Sequence, residues 1–165
     1  MTQEEQVRKE LIHRFGGAYR AFGLSKLMGH VVALLLYSPK PVSLDEIAKS
    51  LKRSKGPVSQ IVRRLRDHNL IRKAWITENN RKDYYEIEPA IFENAFRNNL
   101  ELIKSNTRIA SEIKAKFKTN KNKDLETTAL RVLEMERFYS LMEKHYEKFL
   151  NEWTKERKRI YKNPA

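Results

Sequence analysis

The segment from residue 43 to residue 88 constrains the fold more than any other part of this sequence. Ser43 stands three residues before Glu46, and this spacing predicts a capping box at the start of a short helix. Ser54 is expected to cap a second helix, with Pro57 in its first turn, where a missing N–H is tolerated. Four apolar residues recur at helical spacing and predict the buried face of that helix: Val58, Ile61, Val62 and Leu65.

A strand, a polar turn and a second strand are predicted to follow the two helices. Asn69 suits the left-handed position after the second helix. Residues 70–76 and 83–87 have the composition of paired strands, and residues 77–82 form a polar turn with a basic tip. Two short helices followed by a β-hairpin predict a winged helix-turn-helix. Such a fold presents its second helix to the major groove of DNA and its hairpin beside it.

The outer face of the second predicted helix is basic. Taken alone, Arg63-Arg64-Leu65-Arg66 would fit an ordinary solvated face. However, residues 49–73 contain nine basic residues and a single acid, Asp67. The basic residues are Lys49, Lys52, Arg53, Lys55, Arg63, Arg64, Arg66, Arg72 and Lys73. Because the inner face of the helix is committed to the core, this concentration of charge favours DNA as the partner.

Three groups of candidate DNA contacts follow from this arrangement. Base edges are assigned to the first turns of the second helix, at Lys55, Pro57, Ser59, Gln60 and Arg63. Phosphates are assigned to Ser43, Arg53, Ser54 and Arg64. The wing tip, Asn79, Asn80, Arg81 and Lys82, is assigned to the minor groove, since a narrow A·T-rich groove attracts arginine. The alternative for the tip is a surface turn whose charges only aid solubility.

Six short motifs follow one another in the first half of the chain. They are Gly23-Leu24-Ser25, an apolar helix over residues 29–37, Ser38-Pro39-Lys40-Pro41, Ser43-Leu44-Asp45-Glu46-Ile47, Ser54-Lys55-Gly56 and Arg81-Lys82-Asp83-Tyr84-Tyr85-Glu86. Together they resemble the GbsR branch of MarR-like transcriptional regulators. The resemblance implies a homodimeric regulator of transcription, in a family with members that control genes of choline uptake and glycine betaine synthesis. The second half resembles the family only in being long, charged and helical.

Composition agrees with a polyanion as partner. The chain has 165 residues, a formal net charge of +13 and a sequence pI of about 9.9, a balance that suits DNA, RNA or an anionic membrane surface. It has no cysteine, which excludes disulfides and thiol redox sensing. The first residues lack the features of a signal peptide. The longest apolar run is too short to span a bilayer. A cytoplasmic protein without a membrane partner is expected.

No catalytic motif is evident. The four histidines are far apart, and none forms an HExxH or similar metal pair. The sequence contains neither a glycine-rich phosphate loop nor a nucleophile elbow. We therefore expect no enzyme activity, no metal and no cofactor.

The chain is predicted to divide into three parts. Residues 1–23 form an N-terminal helix, capped by Thr2 and Glu5, that Gly16-Gly17 could bend or end. Residues 24–88 form the winged helix-turn-helix. Residues 89–165 form long helices for dimerisation and effector response, with Pro89 opening the first and residues 118–123 as a connector. The expected fold class is mostly α, with a small β-wing and long N- and C-terminal dimerisation helices.

The last predicted helix, over residues 124–161, has two apolar stripes. We assign the longer stripe to dimerisation: Leu125, Ala129, Val132, Tyr139, Met142, Tyr146, Phe149 and Trp153. Leu130, Leu133, Phe138 and Leu141 form the other. A helix that packs only on its own domain needs one stripe, so the second predicts a helix from another subunit. The alternative is a helix buried within one chain.

The last of these predictions is a site for a small-molecule effector. The family resemblance suggests a small quaternary ammonium compound such as choline, and aromatic faces would be needed to hold such a cation. Phe96, Phe138, Tyr139 and Tyr146 are the candidates, although aromatic residues at helical spacing also suit a plain core. The sequence as a whole predicts a sequence-specific regulator, expected to be a repressor, that binds an inverted-repeat operator as a homodimer. The alternative is a nonspecific architectural nucleic-acid-binding protein.

Overall fold

The computed structural model describes residues 2–76, 82–117 and 125–162. The chain forms two compact units, which meet in the sequence between Ala95 and Phe96. The first unit therefore includes the N-terminal helix and extends past the predicted boundary at Glu88. Its elements are α1 (Gln3–Ala21), α2 (Lys26–Tyr37), β1 (Val42–Ser43), α3 (Leu44–Ser50), α4 (Lys55–Asp67), β2 (Ile71–Ala74) and β3 (Tyr84–Ile87). Then follow α5 (Ile91–Phe117) and α6 (Glu126–Lys162).

The N-terminal helix begins at the capping box that the sequence predicts. The backbone N–H of Thr2 donates to Glu5 Oε2 at 3.0 Å, and the backbone N–H of Glu5 donates to Thr2 Oγ1 at 3.3 Å. The helix continues through Gly16 and Gly17 to Ala21, so these glycines do not end it. Gly23, with φ of 75°, takes the left-handed conformation before α2.

Two glycines let α1 and α2 approach closely. A Cβ atom added at Gly29 would lie 2.5 Å from the carbonyl oxygen of Phe15, and one added at Gly16 would lie 2.3 Å from His30 Nε2. No real side chain tolerates such distances unless its neighbours move. The absence of a side chain at both positions therefore fixes the separation of the two helices.

The core of the first unit is built around α2. Val31, Val32 and Leu34 in this helix are almost completely buried, as expected for the apolar run. Helices, strands and the start of α5 add further buried residues to the same cluster: Ile47, Ala48, Val58, Ile61, Val62, Leu65, Ile71, Tyr85 and Ile91. The predicted inner face of α4 is thus confirmed.

The turn between α3 and α4 depends on a left-handed residue that the sequence did not indicate. Lys52 has φ of 51°, and its N–H donates to the carbonyl of Lys49 at 3.1 Å. The N–H of Arg53 donates to the carbonyl of Ala48 at 2.9 Å. Asn69, after α4, has φ of 55° as predicted.

The first unit also contains a three-stranded antiparallel sheet, in the order β1-β3-β2. Both hairpin strands are shorter than the predicted ranges, 70–76 and 83–87. The short strand β1 pairs Val42 with Tyr85 and Ser43 with Tyr84, and was not predicted. Two residues are too few to show an alternating pattern, so only the neighbouring strand identifies them.

The second unit is an antiparallel pair of helices formed by α6 and by α5 from Phe96 onward. The ring of Phe96 stacks on Tyr146, with centroids 4.1 Å apart. The hydroxyl of Ser111 donates to Glu136 Oε1 at 2.8 Å, so residue numbers rise in one helix as they fall in the other. The buried apolar residues described in this unit are Leu100, Ile103, Ala110 and Leu150. No helix within the described ranges is long and apolar enough to cross a membrane.

Candidate nucleic-acid interface

The outer face of α4 is the centre of the candidate site. Gly56, Gln60, Arg63 and Asp67 recur at i, i+4, i+7 and i+11, so they share one stripe opposite the buried residues. The side chains of Gln60 and Arg63 are exposed. Gly56 has no side chain, and nothing lies within 4 Å of where its Cβ would be. The helix backbone is therefore exposed at Gly56.

The residues assigned to base edges lie in the first three turns of α4. Lys55, Pro57, Gln60 and Arg63 are exposed, and Ser59 is half-buried. Amide and guanidinium groups can make paired hydrogen bonds to adenine and guanine edges, respectively. The geometry supplies such groups on one accessible helix face.

Three of the four residues assigned to phosphates are also exposed: Arg53, Ser54 and Arg64. Ser54 occupies the N-cap position, but its side chain makes no capping hydrogen bond, contrary to the prediction. Its hydroxyl lies at the N-terminal end of α4, where the helix dipole and backbone N–H groups favour anions.

The assignment of Ser43 to phosphate is wrong. Ser43 is buried, with 3% of its surface exposed. Its hydroxyl donates to Glu46 Oε2 at 2.7 Å and accepts from the Glu46 N–H at 3.3 Å. The hydrogen bond from the Ser43 hydroxyl, and a second one from the Ser43 N–H to Glu46 Oε2 at 2.9 Å, lower the pKa of Glu46 from its ordinary value. The residue caps α3, as the sequence predicted, and has no surface left for DNA.

The predicted wing tip falls mostly outside the described residues. Asn79, Asn80 and Arg81 are not among them, and Lys82 is half-exposed at the base of the hairpin. Two basic residues of β2 are matched by acids of the hairpin: Arg72 Nε lies 2.7 Å from Glu86 Oε1, and Lys73 Nζ lies 2.9 Å from Asp83 Oδ1. The net positive charge of the described face therefore comes mainly from α4 and the turn before it.

Two features of this face were missed in the sequence. Trp75, which directly follows β2, is 94% exposed and lines a cavity of about 230 Å³ with Lys73 and Lys82. A tryptophan at the end of a strand is normally assigned to the core, and only its basic neighbours could have suggested otherwise.

The second feature is Asp45 on α3, whose carboxylate lies 2.5 Å from Lys55 Nζ. The hydrogen bond from Lys55 holds the pKa of Asp45 below its ordinary value.

The stripe assigned to dimerisation mostly faces its own chain. Seven of its members are partly buried: Leu125, Ala129, Val132, Tyr139, Met142, Tyr146 and Trp153. Tyr146 contacts Phe96 of α5, which shows the direction of this face. Phe149 is 47% exposed. The other stripe, formed by Leu130, Leu133, Phe138 and Leu141, is exposed along α6. The sequence identified both stripes. The stripe assigned to dimerisation faces α5 at Tyr146, and its assignment to a partner stays a prediction.

The four candidate effector residues separate into two pairs. Phe96 and Tyr146 stack with an interplanar angle of 20°. Phe138 and Tyr139 meet edge to face, with centroids 5.4 Å apart. Neither pair leaves a gap between its two rings in which a cation could lie, so a cation would have to lie over an outer ring face. Within these residues no group of three metal-ligating side chains is found either.

Known proteins similar to this chain include bacterial regulators. The chain is 31% identical over 93 residues to the putative HTH-type transcriptional regulator YvaV of Bacillus subtilis (strain 168), covering 56% of this chain and 52% of YvaV. It is 27% identical over 115 residues to the HTH-type transcriptional repressor OpcR of the same organism, covering 69% of this chain and 60% of OpcR. The chain thus spans between half and two thirds of the length of these curated relatives. No family model matches it.

A crystal structure described as a transcriptional regulator has a similar fold. The TM-score is 0.74 at 21% identity, with 90% of this chain and 98% of that chain covered. This likeness and the helix-turn-helix names of the relatives agree with the order of elements in the first unit. The predicted fold class is therefore confirmed: the chain is mostly helical, has a small antiparallel sheet and contains a winged helix-turn-helix. The narrower resemblance to the GbsR branch stays a prediction.

Proposed function

We propose that this protein is a sequence-specific, double-stranded-DNA-binding regulator of transcription that acts as a repressor. The observation that carries the proposal is the outer face of α4, where exposed Gln60 and Arg63 lie opposite a fully packed core face and exposed Lys55 begins the helix. A helix with one committed and one basic, hydrogen-bonding face is suited to the major groove. The helix-turn-helix regulators to which the chain is similar support the same class of function.

In this proposal the part of the DNA that each residue contacts depends on its position in the fold. Lys55, Pro57, Ser59, Gln60 and Arg63 contact base edges. Arg53, Ser54 and Arg64 contact phosphates, and Arg81 and Lys82 of the wing contact the minor groove. Phosphate contacts fix the position of the helix on the duplex, whereas base contacts select the sequence.

We further propose a homodimer on an inverted repeat. Long apolar side chains on α6 are uncovered, among them Leu130 at 61%, Phe138 at 58% and Leu141 at 58% exposure. A second copy of the same helix would cover them by two-fold symmetry. Two copies of α4 would then contact half-sites about one helical turn, roughly 34–36 Å, apart.

The most specific part of the proposal is that a small cation such as choline controls DNA binding. It requires a cation to lie over an accessible ring face of the Phe138–Tyr139 pair or of the stacked Phe96–Tyr146 pair. Calorimetry with choline and with glycine betaine, with and without operator DNA, tests it. We expect heat of binding for one of them and a change in operator affinity. The absence of both effects would contradict this part alone.

Selection from a pool of random duplexes tests the main proposal and the alternative together. Purified protein is incubated with the pool at physiological salt, and bound DNA is sequenced over several rounds. We expect enrichment of one inverted repeat. A nonspecific architectural protein, favoured by the net charge of +13, would retain DNA without enriching any sequence. Footprinting on genomic DNA then identifies the regulated genes.

A further inference from the structure

Asp45 connects the two elements to which DNA contacts are assigned. Its Oδ1 atom lies 2.5 Å from Nζ of Lys55, the first residue of α4. Its Oδ2 atom lies 4.0 Å from Nζ of Lys82, at the base of the wing. Each carboxylate oxygen thus faces one cation, one from the helix and one from the hairpin.

These ion pairs do little for the stability of the fold. The side chain of Lys55 is 67% exposed, that of Lys82 51% and that of Asp45 43%. Exposed pairs of this kind contribute little free energy because water and salt screen them. At the same time, a carboxylate on a DNA-facing surface repels phosphate. The carboxylate therefore weakens general DNA binding without a matching gain in folding.

We propose that Asp45 is a specificity-determining residue, an inference that rests on the proposed DNA-binding function. Without DNA, the carboxylate occupies both lysines. On an arbitrary duplex, the lysines would have to leave Asp45 to reach phosphates. At the preferred site, Lys55 keeps its bond to Asp45 and donates another of its three N–H groups to a guanine edge. Asp45 thereby penalises unspecific phosphate binding more than base recognition.

The substitution Asp45→Asn tests this with little change of shape. Equilibrium affinity is measured for the selected duplex and for a scrambled duplex over a salt series. Release of one lysine to a phosphate should steepen the slope of log affinity against log salt on scrambled DNA by about 0.9. At about 0.1 M salt this corresponds to a roughly tenfold gain on scrambled DNA, and hence a roughly tenfold loss of preference.

Glu10→Gln is the matched control. It removes the same charge from an exposed ion pair of α1, outside the candidate site, where Glu10 lies 2.6 Å from Arg14. We expect this variant to strengthen binding to both duplexes by the same factor and so to keep the preference. If Asp45→Asn keeps it equally well, the inference is overturned.

A measurement without DNA separates failure of the inference from failure of the proposed function. The Asp45 carboxyl carbon is titrated by NMR in the wild type and in Lys55→Met and Lys82→Met. We expect its pKa to rise in both, and more in Lys55→Met. An unchanged pKa in Lys55→Met would overturn the inference whatever the protein binds. A wild type that prefers no duplex would overturn the proposed function, and the inference with it.

Discussion

The two units of this protein bury their apolar residues to different extents. In the first unit, α2 is surrounded by buried side chains from α3, α4 and the sheet, and these residues form one closed hydrophobic core. In the second unit, the buried apolar residues described are Leu100, Ile103, Ala110 and Leu150, while many large apolar side chains stay exposed along both helices. A closed core leaves the outer surface of its unit free for polar contacts. An uncovered apolar face needs another surface to cover it. This difference is the basis on which we propose DNA binding for the first unit and self-association for the second.

The largest effect is expected where the second unit is uncovered. The double substitution Leu133→Lys and Leu141→Lys places two charges in the exposed stripe of α6. We expect a monomer in sedimentation at micromolar concentration. Affinity for an inverted repeat should fall about 10²- to 10⁴-fold, because the second α4 no longer binds in the same complex.

Ser140→Lys serves as the control for that variant. It adds one lysine at an exposed polar position next to Leu141, and should leave the sedimentation coefficient unchanged. A double variant that still sediments like the wild-type dimer, or a wild type that is already monomeric, would break the division of roles between the two units.

The closed core of the first unit can be tested at the crossing of α1 and α2. We expect Gly29→Ala to lower the free energy of unfolding by about 1–3 kcal/mol, because its Cβ would meet the backbone of Phe15. Gly17→Ala is the matched change in α1, where nothing lies within 4 Å of the added atom. It should stabilise by up to about 1 kcal/mol through helix propensity. Urea unfolding of both variants measures the contrast, and equal effects would show that the crossing is not tight.

Substitutions on the outer face of α4 are expected to change the DNA sequence preference. We expect Gln60→Ala or Arg63→Ala to relax the preference at particular base pairs by about 1–3 kcal/mol each. Arg64→Ala, one residue further on, should instead weaken binding about equally for all sequences. Affinities for a panel of single-base variants of the operator distinguish the two patterns. If Arg63→Ala and Arg64→Ala give the same profile, the assignment of the contact face is wrong.

The smallest effect concerns His30, at the edge of the core beside Gly16. Burial, then the positive charges of Lys26 and Arg53 and the neighbouring His13, lower its pKa from the ordinary value of 6.5. The unfolded chain therefore takes up a proton before the folded chain does. Stability present above about pH 6.5 is lost as the pH falls towards the folded-state pKa. His30→Gln should lose less stability between neutral and mildly acidic pH than the wild type, and an identical loss would contradict this.

Local patterns in the sequence were enough to predict the elements of the first unit. The capping boxes at Thr2 and Ser43, the left-handed Asn69 and the buried face of α4 each depend on residues a few positions apart. Such signals act within one or two turns of chain. For this reason the amino-acid sequence alone predicts the helix-turn-helix and the face of α4 that packs on the core.

Features that depend on distant residues could not be predicted in the same way. From the sequence, Ser43 was predicted to be both a helix cap and a phosphate contact. Its burial depends on the pairing of β1 with β3, a strand about 40 residues further along the chain. Asp45 and Lys55 meet because of the angle between α3 and α4. Which stripe of α6 faces α5 is likewise decided by packing, since both stripes are apolar. Periodicity identifies faces but not the neighbours that cover them.

The most direct test of the central claim is a competition experiment with the wild-type protein. Labelled duplex carrying the selected inverted repeat is displaced by the unlabelled repeat or by a scrambled duplex of equal length and composition, at about 0.15 M salt. The account predicts that the scrambled duplex competes at least about 10³-fold less well. Equal competition by the two duplexes would mean that charge alone holds the DNA, and would contradict the assignment of base recognition to α4.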